Sequence, residues 1–143
     1  MSFVKVMIHA VWGTKNREPF LADEARPLII KHIRENAKSK EIYIDSLNGY
    51  TDHLHCLFGL NADVSISKAM QQIKGESAFW INKENVTKSK FEWADEYFAV
   101  SVSESMIPKV RAYIQTQEGH HKKTTFMQEY EEFMRKYNFR SHG

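Results

Sequence analysis

The chain is nearly devoid of cysteine. Its one thiol, Cys56, excludes an intramolecular disulfide framework among the 143 residues and suits a reducing, cytoplasmic setting. Uncompensated charge is also scarce. Twenty Lys and Arg against eighteen Asp and Glu leave a formal net charge of +2, too little on its own to point to a nucleic-acid partner. No apolar run approaches the ~20 residues of a membrane span. Residues 1–5 (Met-Ser-Phe-Val-Lys) lack the charged-then-apolar pattern of a secretory signal. No stretch looks disordered, repeated or linker-like. The expectation is one domain over residues 1–143, long enough to bury a core and with no membrane association.

The stretch around which the chain is organised is residues 48–60, Asn-Gly-Tyr-Thr-Asp-His-Leu-His-Cys-Leu-Phe-Gly-Leu. Asn48-Gly49 is a strong hairpin-turn signal, and the alternating residues after it read as a strand. Strand side chains point to opposite faces in turn. His53 and His55 therefore share one face, and Leu54, Cys56 and Phe58 share the other. On that apolar face Cys56 reads as a small buried hydrophobe, not a nucleophile.

Elsewhere, residues 3–12 alternate as a first strand, with Val4, Val6, Ile8, Ala10 and Trp12 on one face and Lys5, Met7, His9 and Val11 on the other. His9 reads as a hydrogen-bonded, half-buried histidine that lies near a metal site if the next strand carries one. Residues 13–19 form a polar loop whose Lys15 and Arg17 suit phosphate contacts. Asp23 is expected to cap a helix to about Ser39, with Ile29, Ile30, Ile33 and Ala37 as its apolar stripe. Residues 41–47 form a second strand. Ser65 caps a second helix with a core stripe through Ile66, Ala69, Met70, Ile73, Ser77, Trp80 and Ile81, leaving Lys74 to face outward. Residues 97–103 form the last strand. Ser105 is expected to cap a third helix, on which Tyr113 and Gln117 are four residues apart and share a face. An amphipathic helix over residues 124–137 follows, through Phe126, Tyr130, Phe133, Met134 and Tyr137.

The order strand, helix, strand, strand, helix, strand is that of an α+β, ferredoxin-like (βαββαβ) domain with a four-stranded antiparallel sheet, extended by C-terminal helices that carry Tyr113. In that plan the first and third strands are central, and the histidine pair stands in mid-sheet.

Two imidazoles on one face can hold a metal ion, and equally can be ordinary core or surface histidines. Tyr113-x-x-x-Gln117 offers a phenol and an amide oxygen together, although Tyr113 can also simply pack. A phenol, with a reference pKa of about 10, needs a nearby cation or base to act as a nucleophile.

In sequence the chain resembles the IS200/IS605-type single-tyrosine transposases of the HUH endonuclease superfamily, and most closely the branch associated with repetitive extragenic palindromes. The resemblance runs through His9-Ala-Val-Trp-Gly-Thr-Lys-Asn-Arg17, Asp52-His-Leu-His55, Ile73-Lys-Gly75 with Ser77 and Trp80, and Trp93 leading to Ser101-Val-Ser103. It ends with Val110-x-x-Tyr113-Ile-x-x-Gln117-x-x-His120-His121. It implies that His53, His55 and Gln117 ligate a divalent metal; the mixed imidazole and amide-oxygen donors suit Mg²⁺ or Mn²⁺ and leave zinc open by residue type. It implies that Tyr113 attacks single-stranded DNA to give a 5′-phosphotyrosine and a free 3′-OH. It also implies a hairpin DNA partner and a homodimer with active sites in cis or in trans, with Lys15, Arg17 and Lys74 as candidate DNA contacts. Asp95-Glu96 departs from the glycine expected before the aromatic at 97. The rival readings are a domesticated single-strand endonuclease acting on chromosomal repeats, a metal-dependent phosphodiesterase that uses water, and a non-catalytic nucleic-acid-binding module. A ferredoxin-like sheet also serves RNA recognition, but the glycine-aromatic pattern of that use is missing from the third strand.

Overall fold

The computed structural model describes residues 2–117, 119 and 125–137. His120 and His121 lie outside them. In chain order the elements are β1 (Met7–Gly13), α1 (Arg26–Ser39), β2 (Ile44–Gly49), β3 (His53–Gly59), α2 (Ile66–Lys83), β4 (Phe98–Val102), α3 (Ile107–Gln115) and α4 (Phe126–Tyr137). The four strands make one antiparallel sheet in the order β2-β3-β1-β4. This is the expected ferredoxin-like arrangement, with the histidine strand β3 and its partner β1 in the middle.

The period-2 alternation of the two central strands divides the interior. Ile8, Ala10 and Trp12 of β1 and Leu54, Cys56 and Phe58 of β3 pack with Ile29, Ile33 and Ala37 of α1 and Ala69, Met70, Ile73 and Ile81 of α2. Phe91 and Trp93 close this layer. Trp93 meets Trp12 edge-on at 5.9 Å, and its indole N–H donates to Ser77 Oγ at 3.0 Å. The opposite face holds a smaller apolar cluster of Met7, Leu57, Ile107 and Ile114 under α3. Beside that cluster stand the histidines. Helix α2 starts as expected, with Ser65 Oγ accepting from Lys68 N–H at 3.1 Å, a cap that contributes about 1 kcal/mol.

Several local expectations are corrected. β1 begins at Met7, where the pairing with Gly59 and Val102 ends, and Phe3, Val4 and Val6 before it are exposed. Asp23 does not cap α1. Its carboxylate pairs with Arg26 at 3.0 Å, and the helix starts beyond Ala25 with Pro27 in its first turn. Asn48-Gly49 is not the hairpin turn: both residues lie in β2, paired with His55 and Leu54, and residues 50–52 make the connection. Gly49 is required there by close approach. A Cβ at that position would press into the His53 carbonyl and lie 2.8 Å from Leu54 Cα. Ser105 lies inside a 3-10 turn, Glu104–Met106, and α3 starts at Ile107.

Candidate metal and nucleophile site

The pleat sets His9, His53 and His55 on one face of the two central strands. His53 and His55 are fully buried and His9 nearly so. An imidazole is buried at low cost only if both ring nitrogens have partners, and each ring nitrogen of His53 and His55 has a close polar neighbour, the one at His55 Nε2 outside hydrogen-bond geometry. His53 Nδ1 lies 2.9 Å from Asp52 Oδ1, and its Nε2 lies 3.3 Å from Gln117 Oε1. His55 Nδ1 lies 2.9 Å from His9 Nε2, and its Nε2 lies 2.5 Å from Glu129 Oε1. Burial, and then the neighbouring His55, lower the His9 pKa from 6.5 to about 3, so that ring is neutral.

Asp52 is held by the hairpin connection. Its carbonyl accepts from Thr14 N–H at 2.9 Å, while the neighbouring Thr51 carbonyl accepts from Leu21 N–H at 2.9 Å. The loop after β1 thereby fixes the carboxylate that orients His53. A carboxylate behind a histidine sets its tautomer and raises the basicity of the other nitrogen.

Tyr113 and Gln117 come from the helical segment that covers this same face of the sheet. They do not share one helix. α3 stops at Gln115, where Thr116 leaves helical geometry and its hydroxyl donates back to Ala112 O at 3.0 Å. Gln117 lies just beyond that break, where helical backbone resumes, fully buried, with its amide N–H donating to Tyr113 O at 3.4 Å. The Tyr113 ring stands edge-on to His55, 5.4 Å between centroids, and 6.4 Å from His9. Burial raises its pKa above the usual phenol value. The charge of Glu129 adds to that rise, while a hydrogen bond from Gln117 opposes it. A phenol so perturbed is neutral and a weak nucleophile unless a cation stabilises its anion.

The donor set fits a divalent cation. His53, His55 and Glu129 each offer one ligand atom, all within 4.8 Å of one another and all buried. With Nδ1–H given to Asp52, the remaining nitrogen of His53 presents a lone pair to the Gln117 amide oxygen. Two acceptors facing each other at 3.3 Å are reconciled by a shared cation or proton. Imidazole nitrogen, amide oxygen and carboxylate suit first-row and harder divalent ions.

Two contributors, Asp52 and Glu129, have no role assigned from sequence. Asp52 carried a signal, a carboxylate directly before the first histidine. Glu129 carried another: it falls three residues after Phe126 and four before Phe133, on the apolar stripe of α4, where a solvated charge does not belong. In the structure it is 2 % exposed. His9 serves as the hydrogen-bond partner of His55. Among the cations expected to meet DNA, Lys15 pairs with Glu92 at 2.8 Å. Lys74 donates to the carbonyls of Ala94, Asp95 and Glu96 at 2.7, 3.1 and 3.4 Å. Arg17 is exposed, with a left-handed φ of 55°. None of the three lines the cavity beside Tyr113 and His9.

A family model described as "Transposase IS200 like" matches residues 2–117. Among solved structures the chain is similar to a putative transposase of Deinococcus radiodurans, at 25% identity and a TM-score of 0.63, covering 81% of this chain and 93% of that one. It is also similar in fold to a REP-associated tyrosine transposase bound to a REP hairpin, at 16% identity and a TM-score of 0.64, covering 85% and 72%. No curated protein matches the chain. No described helix is long and apolar enough to cross a membrane.

Proposed function

The chain belongs to the IS200-like transposase family, and from that premise we propose that it cuts and rejoins single-stranded DNA through a covalent bond to Tyr113. The observation that carries this reading is the meeting of the Tyr113 ring with His55 at 5.4 Å and of Gln117 with His53 at 3.3 Å. These pairs join two motifs more than fifty residues apart in sequence.

A divalent ion, Mg²⁺ or Mn²⁺, held by His53, His55 and Gln117 with Glu129 beside them, would supply Lewis-acid stabilisation of the charge that grows on the phosphate oxygens. The remaining steps belong to the protein. Asp52 and His9 hold the two imidazoles in register. Tyr113 Oη attacks phosphorus, forming an O–P bond to the 5′ phosphate while the bond to the 3′ oxygen breaks. The phenol proton passes to the acceptor it already faces, the Glu129 carboxylate. The 3′ oxygen leaves and takes up a proton. The phosphotyrosine keeps the ester for attack by a second 3′-OH, so strand transfer needs no external energy source.

All of these groups meet within one chain, so the site can be assembled in cis, and assembly in trans in a dimer stays open. A homodimer would then carry two such sites. The likeness to a hairpin-bound neighbour supports hairpin DNA as the partner. Arg17 is the candidate contact on the loop after β1, since Lys15 and Lys74 would have to leave their present partners. We propose a single domain over the chain, because the described part of α4 completes the same site through Glu129.

The test is incubation with hairpin-bearing single-stranded DNA and Mn²⁺, followed by denaturing electrophoresis. A shifted protein–DNA adduct is expected, lost in Tyr113→Phe while hairpin binding persists. Cleavage that survives Tyr113→Phe would instead mark a water-using phosphodiesterase, and binding without cleavage a non-catalytic module.

A further inference from the structure

A cavity of about 260 Å³ opens onto the nucleophile. It is lined by His9 and Tyr113 of the site, by Met106, Lys109 and Val110 of the same helical segment, and by Glu129, Glu132 and Lys136 of α4. Lys109 is four residues before Tyr113, so the two side chains rise from the same face of α3, one turn apart. Lys109 is exposed, and no ion pair joins it to another described residue. Lys136 lines the cavity from the opposing helix.

The charges in this cavity pose a problem for the proposed reaction. Glu129 and Glu132 both bear negative charge on Tyr113, and the substrate is a polyanion. A phosphodiester brought to Tyr113 passes these carboxylates; a divalent ion beside Glu129 would offset that one, and Glu132 at the mouth needs a further cation in the same cavity. Lys15, Arg17 and Lys74 do not line it. Lys109 and Lys136 do.

We propose that Lys109, with Lys136 across the cavity, forms a phosphate subsite that seats the DNA backbone against Tyr113. The inference rests on the transposase reading and adds to it a substrate contact beyond the histidines, Gln117 and Tyr113. Its physical content is one charge-assisted bond to a phosphate oxygen, made by a lysine that has no other partner among the described residues and is set one helical turn from the attacking atom.

The experiment combines protein and DNA changes. Lys109→Met and Lys109→Arg are compared with the unaltered chain in single-turnover adduct formation. The substrates are hairpin DNA with natural phosphates, and the same DNA with a neutral methylphosphonate at each position bracketing the cut. Lys109→Met is expected to slow adduct formation about tenfold, the scale of one charge-assisted contact, and to reduce the salt slope of the rate by about 0.7. Lys109→Arg is expected to keep most of the rate. At one methylphosphonate position the two losses should not multiply, because the contact is already gone. Hairpin affinity and thermal melting should change little, since Lys109 is exposed. Adduct formation by Lys109→Met at the unaltered rate, or losses that multiply at every position, would overturn the subsite and leave the transposase reading standing. Failure of the unaltered chain to form any adduct would bring down both.

Discussion

Asp52 is the most informative residue to remove. Its carboxylate lies 2.9 Å from His53 Nδ1 and is only 21% exposed, so this bond is largely protected from water. A hydrogen bond to a charged group contributes about 1.5–3 kcal/mol, which at about 1.4 kcal/mol per decade is roughly ten- to hundredfold in affinity. Loss of such an orienting partner weakens metal binding by a similar factor. The main-chain bond from Thr14 N–H to Asp52 O does not depend on the side chain, so Asp52→Ala should keep the fold. We expect its Mn²⁺ dissociation constant, by calorimetry or by the resonance signal of free Mn²⁺, to rise about ten- to hundredfold. Adduct formation should recover nearly fully when Mn²⁺ is raised to saturation. Asp52→Asn, which keeps an acceptor but no charge, should fall between. An unchanged metal affinity, or a loss of adduct that no amount of Mn²⁺ restores, would refute the orienting role.

Other consequences follow from burial and close contact. Burial pushes the Cys56 thiol up to about 12, so native protein should resist thiol reagents at pH 8 and react stoichiometrically once unfolded; rapid labelling of the folded chain would contradict its position under the sheet. His9 has a folded pKa of about 3 against 6.5 unfolded. Between those values the unfolded chain binds a proton that the folded chain refuses, so stability falls as pH drops through that window. In metal-free protein this term should amount to a few kcal/mol between pH 7 and pH 3, and denaturant melts of His9→Gln should show a visibly shallower acid loss. Gly49→Ala should cost on the order of 2 kcal/mol, because its Cβ would meet Leu54 Cα at 2.8 Å; a melt unchanged from that of the unaltered chain would count against the tight β2–β3 contact.

Periodicity carried the fold because each strand and helix buries one face. The alternation of Leu54, Cys56 and Phe58 against His53 and His55 was enough to put the imidazoles opposite the main core, and it does. The α2 stripe was equally legible, down to Ser77, which is buried because it accepts the Trp93 indole N–H. Local turn chemistry misled at Asn48-Gly49: the glycine is needed for a close backbone approach, while the chain reverses through residues 50–52, latched to Leu21 and Thr14 by backbone bonds that no local pattern encodes. Asp23 looked like a helix cap, yet a nearby buried guanidinium, Arg26, competes for its carboxylate. Tyr113 and Gln117 were read as one helical face. The helix breaks between them, and they still converge, because helical backbone resumes at Gln117 right after the break at Thr116. Glu129 was the hardest to find, since its partner His55 lies seventy-four residues away in sequence and only the packing of α4 brings them together. The same holds for Lys15 and Lys74, whose charges looked available for DNA until Glu92 and the carbonyls of 94–96 were seen beside them.

The most direct test of the central idea is to digest the protein after reaction with hairpin DNA and Mn²⁺ and to sequence the nucleotide-bearing peptide by mass spectrometry. A single modified peptide is expected, with a 5′-phosphoryl nucleotide on the oxygen of Tyr113. A nucleotide on any other side chain, or cleaved DNA bearing a free 5′ phosphate with no protein attached, would contradict it.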